Sequence, residues 1–454
     1  MKRINVIVIG LTVGILVASA SMALGAVSAQ EAEALKTTLT PLGAERAGNG
    51  DGTIPAWDGG LLQQVPGFVN GGKRPDLFPD EKPLFSITAE NMDQYAEKLT
   101  EGTKALLKKY PTGFRIDIYP THRTHAAPEW VYDNTYKNAL NGRLVGDEAV
   151  NVYGGIPFPA PKSGTEVIWN HLLRWRGTAW HTEFTGWVGT STGKRVMLLD
   201  TKNDLQSSYY LPNGSSDNYK GEYYQVRSIN SGPPIRAGEA ITGRVNQSSG
   251  KTQTWVYITG QRRVRKLPLS CCDTPTPFSA GQSSFDEVDV FNETMSIERF
   301  DWTIVGKKEI YIPYNTNKHL EPASVDAVFA DHYVNPDVVR WELHRVWVVE
   351  ATLRAGQRHT SPRNLYYVDE DSWTAVLADR WDAKGQLWRS LITLPIAAPD
   401  IPAVVNTTWG YYDLLGGTFF INMVMTGKDA QYKVLPEYPD RVFSPDAMSG
   451  EGVR

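Results

Sequence analysis

Gly189-Thr190-Ser191-Thr192-Gly193 carries the Gly-x-Ser-x-Gly spacing of a hydrolase nucleophile. Its chemistry would be attack by Ser191 on an ester carbonyl, which needs the serine between a strand and the N-terminus of a helix. Lys194-Arg195-Val196-Met197-Leu198 follows instead, a strand pattern, so the five residues are read as a hairpin turn. His122-Arg123-Thr124-His125 offers two imidazoles at a spacing that could grip a metal from a helix. Pro120 and Pro128 argue for an extended loop there, and the sequence shows no third ligand. Asn49-Gly50-Asp51-Gly52-Thr53 lacks the distal glutamate of a calcium loop and is read as a turn. Asp369-Glu370-Asp371 is read as a solvated turn between strands. His171 is expected to pack inside a helix, and His181, His332 and His344 have no obvious carboxylate or nucleophile partner. No catalytic residue, metal or cofactor is assigned.

The elements that would position such groups are mostly strands. Trp341, Leu343, Trp347, Val349, Ala351 and Leu353 alternate with Arg340, Glu342, His344, Glu350 and Thr352. That period of two predicts a long strand with one apolar and one mostly wet face, hence a large antiparallel sheet. Arg345 interrupts the apolar face, where a charge must find a partner. Trp180 to Val188 and Lys194 to Asp200 flank the Ser191 turn. Further strands are predicted over 222–229, 254–266, 308–314, 364–369, 375–381, 387–394 and 418–425. Helices are predicted over 90–109, capped by Thr88 and stopped by Pro111, and over 166–175, capped by Thr165, with a short one near 322–330. Residues 30–85 are rich in Gly and Pro and read as a wrap around a core.

The N-terminus bears on compartment. Lys2 and Arg3 precede an apolar run to Leu24, and Val27-Ser28-Ala29 supplies small residues for a signal peptidase. A cleaved signal peptide over 1–29 and a periplasmic protein are expected, with an uncleaved membrane anchor as the alternative because the apolar run is long. The two cysteines, Cys271 and Cys272, are adjacent, so they are either a vicinal disulfide or two thiols in a loop, and with no second pair they make a zinc site unpromising. A net charge of −4 shows no basic excess, so nucleic acid is not an expected partner.

Fourteen Trp, 21 Tyr and 14 Phe are enough to build a large β core and to line a cavity as well. Trp255, Tyr257, Trp341, Arg345 and Trp347 are the residues expected to meet a ligand. Arg262, Arg263 and Arg265 belong to the strongest charge run, Gln261 to Lys266, which is either a partner or membrane contact or an edge strand defended by charge.

Six segments carry a resemblance. Thr254 to Arg265 is similar to the strand-plus-arginine signature of bacterial outer-membrane lipoprotein-sorting proteins. Tyr366 to Trp373 with Asp382-Ala383-Lys384-Gly385 resembles their later hairpin. Asp51 to Trp57, Glu81 to Phe85 and Trp341 to Trp347 resemble the domain of unknown function 1329 family. The resemblance implies an α+β, mostly β fold: a large curved antiparallel sheet forming an incomplete β-barrel, with helices packed on its open side. With the residue patterns above, the expected division is a signal peptide (1–29), an N-terminal wrap with a helix (30–164), whose Gly/Pro-rich beginning has no counterpart in the classical carriers, and a half-barrel of the carrier kind (165–454), the last implied by the resemblance. The function implied is binding and carrying a lipid or other hydrophobic ligand between inner and outer membranes. Partners implied are a resistance-nodulation-division type transporter or an outer-membrane protein, with peripheral membrane contact. The rivals are an envelope hydrolase, acting at Ser191 or on glycans, and a structural envelope protein without a ligand.

The hairpin reading makes Ser191 dispensable. Ser191→Ala should leave the melting temperature and any ester hydrolysis unchanged, and loss of hydrolysis in that variant would favour the enzyme.

Overall fold

A 16-stranded sheet organises the chain in the computed structural model, which describes residues 27–451. The expected signal peptide lies almost wholly outside those residues. The body of the sheet is two antiparallel meanders. The first contains β1 (Ala179–Gly189), β2 (Arg195–Gln206), β3 (Glu222–Gly232), β4 (Ala240–Asn246), β5 (Gln253–Ile258) and β6 (Arg263–Lys266). The second contains β7 (Phe300–Pro313), β8 (Trp341–Leu353), β9 (Arg363–Asp369) and β10 (Ala375–Trp381). It continues through β11 (Leu387–Ala398) and β12 (Ala403–Asp413) to β13 (Thr418–Val424).

The last strand of the second meander lies against the first strand of the first, through Phe419↔Gly189, Phe420↔Val188 and Ile421↔Trp187. The free edges are therefore β6 and β7, consecutive in the chain, and the sheet does not close. Lys433–Leu435 adds to the start of β1. Phe85–Ile87 and Ile116–Ile118 add beside β8, where Trp341↔Ile118 is a parallel pairing in an otherwise antiparallel sheet. Among the described residues no helix is long and apolar enough to cross a membrane.

The Ser191 segment is a hairpin turn. The Thr190 backbone N–H donates to the Lys194 carbonyl at 2.8 Å, Gly193 takes a φ of 81° that favours glycine, and Ser191 is exposed.

The wet face expected on β8 survives only near its end, at half-buried Glu350 and exposed Thr352. Val346 and Val348 pack in one cluster with Ile87, Leu106 and Ile116. Val349 and Ala351 pack in another with Val167, Ile168 and Leu172. Residues of the N-terminal wrap cover one side of this strand, so Glu342 and His344 are buried too. Polar groups in such a place persist only when paired.

Other boundaries also move. Residues 90–109 split into a 3-10 segment, Met92–Lys98, and α1 (Glu101–Lys109), because Leu99 is extended and Thr100 caps the new start by accepting from the Thr103 N–H. A helix not expected, α2 (Glu129–Asn141), follows the His122–His125 loop. The helix expected over 166–175 is α3 (Gly164–Leu172), begun by a Ser163/Glu166 capping box, with all nine residues buried. The strand expected over 254–266 is the β5–β6 hairpin, with Arg262 in left-handed backbone at the turn.

Arg345 is 8% exposed; its Nη1 donates to Glu370 at 3.0 Å and its Nη2 to the Ala47 carbonyl at 2.9 Å. Arg345→Ala should destabilise by about 3 kcal/mol or more, since it takes from buried Glu370 one of the cations that balance it and from the Ala47 carbonyl its donor. A denaturant midpoint within about half a kcal/mol of wild type would show that the pair contributes little.

Candidate functional site

The concave face of the first meander is not filled. Side chains from β1 to β5, among them Trp180, Leu205, Tyr224 and Ile241, form one wall of a cavity with about 890 Å³ of atom-free space, its mouth included. Trp409 and Met423 of the second meander and Tyr432 contribute to the lining. Residues of the link between β6 and β7 form the opposite wall, notably Phe278, Phe285 and Val288. No α-helix residue lines it, so the helical cover expected over the open side is replaced here by a link built of 3-10 turns. That link carries the vicinal Cys271–Cys272 disulfide, both residues buried.

Acids along the link fix it to the sheet. Asp286 meets His359 at 2.9 Å and Arg380 at 3.3 Å, and Glu287 meets Arg389 at 2.6 Å. Burial works against ionising Asp286, but the Arg380 charge and the His359 hydrogen bond outweigh it and hold its pKa below the usual carboxylate range. Asp289 accepts from Arg174 at 2.6 Å, Arg176 at 3.1 Å and Asn406 at 2.7 Å. His171 packs inside α3, as expected; its Nε2 lies 2.7 Å from the Phe291 carbonyl, its Nδ1 accepts from the Ala375 N–H at 2.9 Å, and burial keeps it neutral.

A second polar cluster lies on β8 and β9. Asp369, Glu370 and Asp371, read from the sequence as a solvated turn, are all buried. Arg123 grips Asp371 at 2.6 and 2.9 Å. Glu370 takes Arg345 and, at 2.7 Å, Lys307. His344 lies between Glu342 at 3.2 Å and Asp369 at 3.4 Å, partners supplied by spatial rather than sequence proximity. Ligand atoms of His344, Asp369 and Asp371 lie within 4.8 Å of one another, close enough for a metal. Both oxygens of Asp371 already serve Arg123, and His344 supplies a positive charge to Asp369, so the cluster is a charge-balanced core.

Residues 86–449 match a protein family of unknown function, DUF1329. The chain belongs to the DUF1329 family. The uncharacterized protein PA3922 of Pseudomonas aeruginosa is 37% identical over 446 residues, covering 96% of each chain. Among solved structures, a DUF1329 family protein from Desulfovibrio piger is similar at 15% identity and a TM-score of 0.38, over 60% of this chain and 92% of that one. A putative outer membrane lipoprotein-sorting protein domain from Vibrio parahaemolyticus is similar at 12% identity and a TM-score of 0.43, over 63% of this chain and 98% of that one.

In this DUF1329 chain the eight residues expected at a ligand or partner site do not line this cavity. Trp341 is buried in the cluster shared with the wrap, and Arg345 is in the ion network. Trp347 stacks near Trp373 beneath Lys307. Tyr257 lines a neighbouring recess that shares Ile241 and Phe278 with the cavity, and Trp255 sits under Lys266. Arg262, Arg263 and Arg265 are exposed on or beside edge strand β6. Sequence reading missed Arg176, Asp289, Glu293 and Trp409. The link holding Asp289 and Glu293 has no periodicity, and Arg176 falls between the expected helix and the first hairpin.

Stability of this DUF1329 fold should carry a His344 signature. Burial opposes its charge, but hydrogen bonds to Asp369 and Glu342 and their charges raise its pKa to about 9. A folded value above the unfolded one, about 6.5, gives stability that is complete below pH 6.5 and fades as pH rises through 9. The advantage of wild type over His344→Gln in denaturant melts should therefore shrink by on the order of 3 kcal/mol between pH 6 and 9.5. An advantage constant with pH would show His344 to be neutral.

Proposed function

We propose that the protein binds a lipid or other hydrophobic ligand in the cavity between the first meander and the β6–β7 link, and carries it through the periplasm. The observation that supports this most is the cavity itself: concave, and walled by Trp180, Tyr224, Phe278 and Trp409. In this reading residues 165–454 are the carrier unit and 30–164 its wrap. Periplasmic residence rests on the Lys2–Ala29 pattern and accords with the Cys271–Cys272 disulfide. A non-catalytic role is supported at Ser191, which sits in an exposed turn followed by a strand instead of a helix. Transfer to or from a resistance-nodulation-division type transporter or an outer-membrane protein would complete the route.

Mass spectrometry of organic extracts from gently purified protein tests the reading. A stoichiometric lipid or hydrophobe supports it; a clean extract with no binding of added hydrophobes favours a structural envelope protein.

Membrane contact has a physical candidate. Ala240 pairs with both Ile229 and Tyr257, so the β3–β4 and β5–β6 turns lie at one end of the sheet. That end exposes Ile235 (87%) and Ile258 beside Arg262 and Arg263, with Arg265 farther along β6. Arg263→Gln/Arg265→Gln should weaken binding to anionic vesicles by roughly fivefold per residue at low salt, with an unchanged melting curve. Cosedimentation without salt sensitivity in the wild type would remove the membrane role.

A further inference from the structure

We infer that the cavity reads the head of its ligand as well as its apolar part, taking an amphiphile with a single carboxylate that Arg176 receives. The inference rests on the hydrophobe-binding reading and adds the class of head group.

Arg176 lines the cavity and is only 6% exposed. A buried guanidinium normally spends its five N–H donors on acceptors. Here one donor reaches the protein, Nη1 to Asp289 at 3.1 Å. The rings of Tyr224 and Trp180, 4.8 and 5.5 Å from the guanidinium carbon, hold the plane without consuming donors. A fork that is held in place, opens onto the cavity and, among the described residues, is mostly unspent suits a planar two-oxygen anion.

Charge balance points the same way. Arg174 and Arg176 share Asp289, whose other oxygen is taken by Asn406, so this end of the cavity carries one positive charge in excess. Glu293 is the one other acid in the lining and does not cancel it. Burial raises its pKa to about 8, leaving it a neutral acid at pH 7 that can donate a hydrogen bond to an anion. An uncharged lipid would cover the excess charge without compensating it, and a dianion would overshoot it.

The test compares three probes of one chain length on the full protein: palmitate, hexadecanol and hexadecyl sulfate, by displacement of a fluorescent fatty-acid analogue at pH 7. Palmitate should bind at least tenfold more tightly than hexadecanol, and more tightly than the sulfate. Arg176→Gln should lose the preference for palmitate over the alcohol, while Arg176→Lys, which keeps the charge, should retain part of it. Should Arg176→Gln melt early, the wild-type comparison decides by itself. Equal binding of palmitate and hexadecanol overturns the inference and leaves the hydrophobe-binding reading intact. Hexadecyl sulfate binding as tightly as palmitate overturns the carboxylate assignment. Binding of none of the three would overturn both readings together.

Discussion

An open sheet whose two free edges are consecutive in the chain imposes one demand: the link between them must run from one edge to the other. Residues 267–299 do so, and they cannot do it as a plain loop, because their backbone and acids enter the interior. Phe278, Phe285 and Val288 line the cavity, while Asp286, Glu287 and Asp289 each find an arginine on the sheet or just before it. Buried charges are tolerated when paired and hydrogen-bonded, and removing one partner is costly. These pairs set where the link stands, and hence how much of the concave face stays open.

The opposite problem, too little water-facing surface, governs β8 and its neighbours. Along most of that strand both faces are covered, one by α3 and the other by the wrap, so its polar residues there form a continuous ion network instead of a solvated face. Arg123 in the loop before α2 and Arg345 on β8 reach the adjacent acids Asp371 and Glu370, which ties the wrap to the sheet. The DUF1329 match begins within the wrap, at residue 86, and runs on through the sheet.

Sequence reading recovered what local chemistry determines. Alternation located β3, β9, β10, β13 and the β1–β2 hairpin to within a few residues, and the polar interruption at Arg345 pointed to a buried partner. It failed where tertiary cover overrides the local signal. β12 was missed because all its residues but the last are buried, leaving no polar phase to detect. The acids 369–371 looked like a turn in water because nothing in the sequence announces Arg123 and Lys307 arriving from far along the chain. The cavity was harder still. Its curved wall was anticipated in kind, but its polar end joins Arg176, Asp289, Glu293 and Asn406, residues that lie on three separated stretches.

The pairing of β13 with β1 has a consequence for how the molecule comes to exist. One side of β1 is met by β2 at once, but its other side waits for Thr418–Val424 and Lys433–Leu435, near the far end of the chain. Until those residues are made, Ala179–Gly189 presents an unpaired strand edge able to recruit a strand from another molecule. Completing β1 thus takes the longest-range strand pairing among the described residues, and long-range pairing is slow. A chain without those residues would keep that edge open for good, whatever the state of the rest of its sheet.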